Sequence, residues 1–371
     1  MGLFGAFIVL KKNEEVPVKK QHIIQLQEWN HLYGAITLLK VNLQNANHAE
    51  SILINGRDEF QENMAPLETY EIDINETHLF RMIGVASAAT LLFSVPGIPL
   101  IVKETDGYPF VQKAIDEIII YPAERYDFEL DLRNVSPGRY NMTVEILEGK
   151  EIKKRQNIAG LAFVIVTDIH ERSSESNVRV LKQKSVLNFP FEVFPKEPDA
   201  KCIPVSYLKS TNHYKDFDFD LAQHSNETFT YFLNFAFPKP SNYSSINGHR
   251  FMRPTVAALL QPSELDTSCS QCESETSCKC TYALNLKSGS EIIMVLSNIG
   301  SGSTMTHPIH MHGHTYEVLK MGFPTVTETG KLIPNENILC NSNLPNSKSQ
   351  CNNATWRNES WRAKSYRNKS Y

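Results

Sequence analysis

No stretch of this sequence reaches the roughly 18 uncharged apolar residues of a membrane-spanning helix, so no membrane span is expected. Basic stripes interleaved with aromatics are lacking too, and the net charge is -4, so no nucleic acid is expected as a partner. The first ten residues are apolar. They carry neither a basic n-region nor a small-residue cleavage site, so they do not read as a signal peptide. Ala6 stands where a myristoylation signal wants Ser or Thr. What is present is 371 residues, a comfortable length for two domains. Hydrophobic residues make up 41% and charged residues 21%, enough apolar material to bury real cores.

The pattern is that of an all-β chain. Short runs rich in β-branched and aromatic residues occur at Phe7 to Leu10, His22 to Leu26, Ala35 to Val41, Ile52 to Ile54, Tyr70 to Ile74 and Leu79 to Val85. They continue at Leu100 to Val102, Glu117 to Tyr121, Tyr126 to Leu130, Asn141 to Ile146 and Leu161 to Val166. Turn pairs such as Asn55-Gly56, Pro96-Gly97, Asp106-Gly107 and Pro137-Gly138 separate them, as in a β-sandwich. Tyr70 to Ile74 alternates strictly, with one apolar face. From about Thr167 to Glu227 the chain is polar and irregular, which reads as a long connection. Strand character returns at Thr228 to Phe237, Thr255 to Leu260, Tyr282 to Leu286, Ser290 to Ser297 and Tyr316 to Met321, which gives a second sandwich. The last residues, from Trp356 on, have no apolar period and read as an irregular tail.

Seven cysteines sit at 202, 269, 272, 278, 280, 340 and 351. Four fall in one short polar segment, Cys269-x-x-Cys272 with Cys278-x-Cys280, a spacing open to zinc or to disulfides. The tight Cys278-x-Cys280 pair fits a zinc knuckle poorly, so disulfides are the preferred reading. Eight N-x-[ST] sequons, at Asn75, Asn134, Asn141, Asn226, Asn242, Asn353, Asn358 and Asn368, favour a secreted glycoprotein. A secreted product without an address label leads to the expectation that the natural beginning of the protein is absent.

Four of the twelve histidines crowd into Thr306-His307-Pro-Ile-His310-Met-His312-Gly-His314. Crowded imidazoles repel one another when protonated, and a metal ion relieves that by binding the neutral rings. In a strand His310 and His312 would share one face, while Pro308 would let His307 aim elsewhere. The other eight histidines show no ligand spacing and are expected to be structural. Glu124, Arg125 and Asp127 are expected to form a buried ion-pair network, and acidic residues such as Glu76 or Asp106 are candidates to line a pocket.

The histidine segment is similar to the carboxy-terminal motif of laccases and other multicopper oxidases. Other segments agree. Gly2 to Val9 resembles the end of the family's first domain, and Trp29-Asn-His31 its Asp-Trp-x-His stretch. Leu53-Ile-Asn-Gly56 resembles its Ile-Asn-Gly turn, and Tyr121-Pro-Ala-Glu-Arg-Tyr-Asp-Phe128 its Pro-Gly-Glu-Arg-Tyr-Asp segment. Cys351-Asn-Asn-Ala-Thr-Trp356 and the clustered cysteines are similar to animal laccases. The resemblance implies two cupredoxin-like Greek-key β-sandwich domains joined by a long irregular connection. Its boundaries would be a first-domain remnant at 1–12, a second domain at 13–168, a connection at 169–227, an incomplete third domain at 228–356 and a tail at 357–371.

It also implies copper as cofactor, with His307 on the type 1 copper, His310 on the type 2 and His312 on one of the type 3 pair. His314 would support its neighbours. The family reaction oxidises a small aromatic substrate, a phenol or an aromatic amine, and reduces O₂ to water. A ferroxidase and a non-catalytic secreted cupredoxin-like glycoprotein are the alternatives. No cysteine has a histidine neighbour, no histidine follows His314, and the amino-terminal His-x-His motifs are missing. This chain is therefore expected to be inactive as written. Homo-oligomer formation is allowed by the sequence and not selected by it.

Overall fold

The computed structural model describes residues 4–10, 20–31, 49–148 (without 62, 64 and 88), 153–168, 183–188, 200–211 (without 210), 228–236, 244–265, 267, 269 and 278–298, with scattered positions from 309 to 367. The chain divides into two units, residues 1–212 with 307–371, and residues 213–306. Both are built of strands, and among the described residues no helix is long and apolar enough to cross a membrane.

The first unit contains β1 (Gln21–Trp29), β2 (Ser51–Ile54), β3 (Thr69–Asp73), β4 (Leu79–Gly84), β5 (Thr90–Ser94), β6 (Leu100–Thr105) and β7 (Tyr108–Ile115). It continues with β8 (Glu117–Ile120), β9 (Arg125–Leu130), β10 (Gly138–Glu148), β11 (Lys153–Thr167), β12 (Ser185–Leu187) and β13 (Lys201–Ile203). One sheet has the order β2-β1-β4-β9-β6-β7, the other β13-β12-β8-β5-β10-β11-β3. Alternation decides which side chains meet between them. In β4, Phe80 and Met82 point inward and are fully buried, as are Tyr126 and Phe128 in β9. The intervening Arg81 and Asp127 face each other across the two strands as an ion pair. The inner face of the other sheet supplies Leu91, Phe93, Ile118, Ile120, Met142, Val144 and Val164. Phe128 stacks on Phe80 with centroids 5.4 Å apart and meets Phe93 at the same distance, so the two sheets share one aromatic centre.

The seven-stranded sheet is apolar on its outer face as well. Leu92, Ile119, Tyr121, Leu147 and Val186 form a second cluster there. Within the stretch read from sequence as an irregular connection, the structure places β12 and β13. β12 pairs in parallel with β8 and with β13, and Val186 is fully buried. Their three-residue length leaves too little sequence for a period to show.

The second unit contains β14 (Thr228–Ala236), β15 (Ser245–Ile246), β16 (His249–Phe251), β17 (Cys278–Cys280) and β18 (Glu291–Asn298), in the order β17-β16-β15-β14-β18. β14 and β18 run parallel over eight residue pairs. Ile293 and Val295 are its buried aliphatics. Four two-residue strands, β19 (Glu317–Val318), β20 (Thr325–Val326), β21 (Leu332–Ile333) and β22 (Tyr366–Arg367), complete the chain.

The strand at Ala35 to Val41 lies outside the described residues. Phe7 to Leu10, Thr255 to Leu260 and Tyr282 to Leu286 form no strand, contrary to expectation. Phe7 and Leu259 are each 91% exposed. Apolar composition produces a strand only where a neighbouring strand takes up its backbone hydrogen bonds. Conversely β5 and β7 went unread. β5 is buried on nearly all its positions and so shows no alternation. β7 is an edge strand carrying Pro109, a residue that argues against a strand in a sequence.

One turn does unusual work. Asn55 and Gly56 both adopt left-handed conformations (φ 52° and 77°), which Asn and Gly tolerate best. The Asn55 side chain then clamps β1. Its Oδ1 accepts the Gln25 N–H at 2.8 Å, and its Nδ2 donates to the Ile23 carbonyl at 2.8 Å and to the Tyr70 hydroxyl at 3.0 Å. The second unit repeats the device at Asn247-Gly248 (φ 51° and 80°). Asn247 accepts the Asn234 N–H at 2.9 Å and donates to the Phe232 carbonyl at 2.8 Å.

His22 on β1 lies against His78, just ahead of β4. His22 Nε2 and His78 Nδ1 are 2.9 Å apart, so one ring donates and the other accepts. The His22 ring also stacks on Phe80, with centroids 4.8 Å apart. Burial, reinforced by His78, lowers the His22 pKa to about 4. Burial lowers that of His78 as well, with Glu76 pulling the other way.

Two outcomes follow from this packing. Asn55→Ala removes the clamp and leaves a left-handed residue without its local support. Chemical denaturation should show a loss of about 2–3 kcal/mol, the sum of buried polar groups left unpaired and backbone strain. Acid should weaken the first unit through His22. In the unfolded chain this ring takes up a proton near its ordinary value of about 6.5, in the folded chain only near 4. Between those values the unfolded state binds more protons, so stability falls as pH drops through that window. The ring is only partly buried, and solvent screening limits the effect to about 1–2 kcal/mol. His22→Phe keeps the stack on Phe80 and cannot titrate. Urea midpoints at pH 7.5 and pH 5 should therefore lie closer together in the variant than in the parent, and an unchanged gap would refute the assignment.

Candidate functional site

His307, His310 and His312 lie outside the described residues, so the structure neither gathers nor separates them. Their described neighbours show a turn. Ile309, Met311 and His314 are in no strand, and Gly313 is left-handed at φ 76°. The Tyr316 hydroxyl donates to the Ile309 carbonyl at 3.1 Å, which ties the two ends of this stretch together. His314 is exposed. The donor set itself fits copper: neutral imidazoles are among the ligands that suit it, and four lie within eight residues.

The acidic candidates have structural partners. Glu76 pairs with Lys20 at 2.9 Å and lies 3.7 Å from His78 Nε2. Asp106, itself buried, accepts the Arg125 backbone N–H at 2.9 Å and pairs with the Arg125 guanidinium at 3.1 Å. Glu124 accepts the Tyr121 N–H at 3.1 Å and an Asn188 amide at 2.7 Å. Glu124, Arg125 and Asp127, expected to form one network, are each engaged by a group outside the trio. Arg125 and Asp127 share one face of β9 but meet different neighbours, Arg125 the Asp106 carboxylate and Asp127 the Arg81 that lies opposite it on β4, while Glu124 caps the preceding turn.

A cavity of about 470 Å³ opens beside the end of β1 and is lined by Phe4, Trp29, His31, Asp58, Phe60 and Asn63 among others. The His31 ring lies flat on Phe60, with centroids 3.5 Å apart. His31 Nε2 and the buried Ser51 hydroxyl are 2.9 Å apart, and the His31 N–H donates to Glu50 at 2.8 Å. Burial raises the Asp58 carboxyl above its ordinary range, while a hydrogen bond from Ser51 opposes the shift. Aromatic walls beside a carboxyl suit a small planar molecule with a polar edge. Of this group the sequence reading singled out only Trp29 and His31. Asp58 and Phe60 follow the Asn55-Gly56 turn, and nothing in their spacing marks them.

The cysteine segment contains a disulfide between Cys269 and Cys280. That bears out the preference for bridges over zinc for this pair. His249, on β16, stacks on Tyr282 with centroids 4.2 Å apart and an interplanar angle of 3°.

Two family profiles described as Multicopper oxidase match residues 20–167 and 251–358, together more than half of the chain. Laccase-2 of Pleurotus ostreatus is 26% identical over 302 residues, 80% of this chain and 49% of that protein. A solved structure of Fet3p, described as a multicopper oxidase that functions in iron import, superposes with a TM-score of 0.51 at 16% identity, covering 85% of this chain and 54% of the other. A laccase from Botrytis aclada gives a TM-score of 0.52 at 14% identity, covering 83% and 53%. These superpositions show the fold, all-β with cupredoxin-like sandwiches. The chain spans about half the length of the curated relatives it matches. With profile matches on both sides of the central segment and copper-type donors inside the second, the chain belongs to the multicopper oxidase family, whose cofactor is copper.

Proposed function

We propose that this chain is part of a laccase-type oxidase acting on phenols and aromatic amines with O₂ as acceptor. The observation that carries the reading is the order His307-Pro-x-His310-x-His312 inside the second matched segment. Laccases are also the relatives matched over four fifths of the chain. In this reading His307 serves a type 1 copper, His310 a type 2 and His312 one of a type 3 pair. Bound copper supplies one-electron acceptance and the four-electron reduction of O₂. The chain's own contribution is to hold neutral imidazoles in place. The Tyr316-to-Ile309 hydrogen bond and the left-handed Gly313 fix the backbone on either side of His310 and His312.

The same reading takes the domain boundaries as 13–168 and 228–356 with a connection at 169–227. It places the protein outside the cell. The sequon asparagines at 75, 134 and 141 are all exposed, as glycan acceptors must be, and Cys269–Cys280 is an oxidised pair. None of the seven cysteines has a histidine neighbour, so the thiolate donor of a blue type 1 site is lacking in these 371 residues.

The purified 371-residue chain should therefore be colourless and bind copper weakly. His307→Ala, His310→Ala and His312→Ala should each lower the copper retained after dialysis, while His213→Ala should not. A strong blue band would overturn the expected inactivity, and copper retention unmoved by all three variants would overturn the ligand assignment. For the reaction itself, the product of the native locus should consume one O₂ per four electrons from hydroquinone. Oxidation of Fe(II) with no turnover of hydroquinone would replace this reading with a ferroxidase.

A further inference from the structure

The Cys269–Cys280 bridge lies beside the imidazole of His249. One ring nitrogen and both sulfurs fall within 4.8 Å of one another, the closest such gathering of three metal-ligating side chains among the described residues. All three belong to the second unit. The strands explain the meeting. β16 and β17 run parallel with His249 opposite Cys278 and Phe251 opposite Cys280. Cys280 is thus two positions from the partner of His249, and the period of two puts both on one face. Tyr282 holds the imidazole flat by stacking. His249 Nδ1 is buried and has no hydrogen-bond partner among the described residues. A buried polar atom left unsatisfied calls for an explanation, and this one belongs to a ring with a nitrogen close to two sulfurs, which points to a ligand.

While the bridge is closed, its sulfurs are poor donors, because the thiolate and not the disulfide binds metal. Reduction changes that. A dithiol reductant gives up two electrons and two protons, its own sulfurs couple, the S–S bond between Cys269 and Cys280 breaks, and each cysteine leaves as a thiol. A cation binding there displaces both thiol protons. Among the described side chains the resulting set is two thiolates and one neutral imidazole. Thiolates select soft cations such as Cu(I) and Zn(II). A closed zinc site wants a fourth donor. Cu(I) has a filled d shell, imposes no ligand-field geometry and is satisfied by three. We propose that opening the Cys269–Cys280 bridge creates a three-coordinate S₂N site for Cu(I), completed by His249 and abolished when the bridge re-forms. This site uses none of His307, His310 or His312, so it stands or falls apart from the oxidase reading.

The test uses the 371-residue chain, reduced with a phosphine, desalted under argon and titrated with Cu(I) against a chromogenic Cu(I) chelator. Reduced parent protein should hold one Cu(I) more than the Cys269→Ser/Cys280→Ser double variant, with a thiolate-to-copper charge-transfer band. The bridged parent should lack that extra ion, and re-oxidation should expel it. His249→Phe keeps the ring on Tyr282 and leaves the disulfide able to form, which peptide mapping checks. It should weaken the same ion at least tenfold. Equal Cu(I) content in parent and double variant would assign the binding to other cysteines and overturn the site. Equal affinity in His249→Phe would remove the imidazole from it. A double variant that does not fold leaves the His249→Phe comparison to decide. Retention of Zn(II) in preference to Cu(I) would overturn the choice of cation.

Discussion

The position of β1 is the constraint on which the first unit rests. β1 sits between β2 and β4, antiparallel to one and parallel to the other, and Asn55 bonds to it on both sides of Ile24. A slip of one residue would turn Ile24 and Leu26 out of the core and bring polar Gln25 and Gln27 in. It would also take His22 off Phe80 and shift Trp29 and His31 away from the aromatic cavity. One amide side chain therefore couples core packing to the placement of the polar groups around it. The second unit relies on Asn247 in the same way to set β14 against the β15–β16 hairpin.

That architecture was legible where one face of a strand meets water. β3, β4 and β9 alternate, and Asn55-Gly56 and Asp106-Gly107 announce their turns. It was illegible where both faces are covered. β5 packs Leu91 and Phe93 into one cluster and Leu92 into the other, so no polar position interrupts it. A signal was available and unused in Ile246-Asn-Gly248, which repeats Ile54-Asn-Gly56 and marks the second sandwich as built like the first.

The site was legible in a different measure. Four imidazoles within eight residues need a reason to coexist, which pointed to a metal, while the family came from the resemblance of their order to the multicopper oxidase motif. The pairing of His22 with His78 could not be read, since it arises from two strands brought side by side rather than from spacing. Convergence of His249 on the sulfurs has the same origin. The charged residues Glu76 and Asp106 invite a functional reading as letters, yet each is engaged by a nearby cation in the fold. A sequence shows which chemistry a residue can do. Its neighbours across a sheet decide whether it is at liberty to do it.

The parallel ladders have a bearing on how the chain is made. β3 joins Thr69 to Phe163, and β14 joins Thr228 to Glu291, so each sandwich is sealed by a strand synthesised long after its partner. Such high contact order belongs to domains that close in milliseconds to seconds, not microseconds. Throughout that interval the β8 edge of the large sheet is unpaired until β12 arrives to bond to it. The nascent chain is thus a natural client for chaperones.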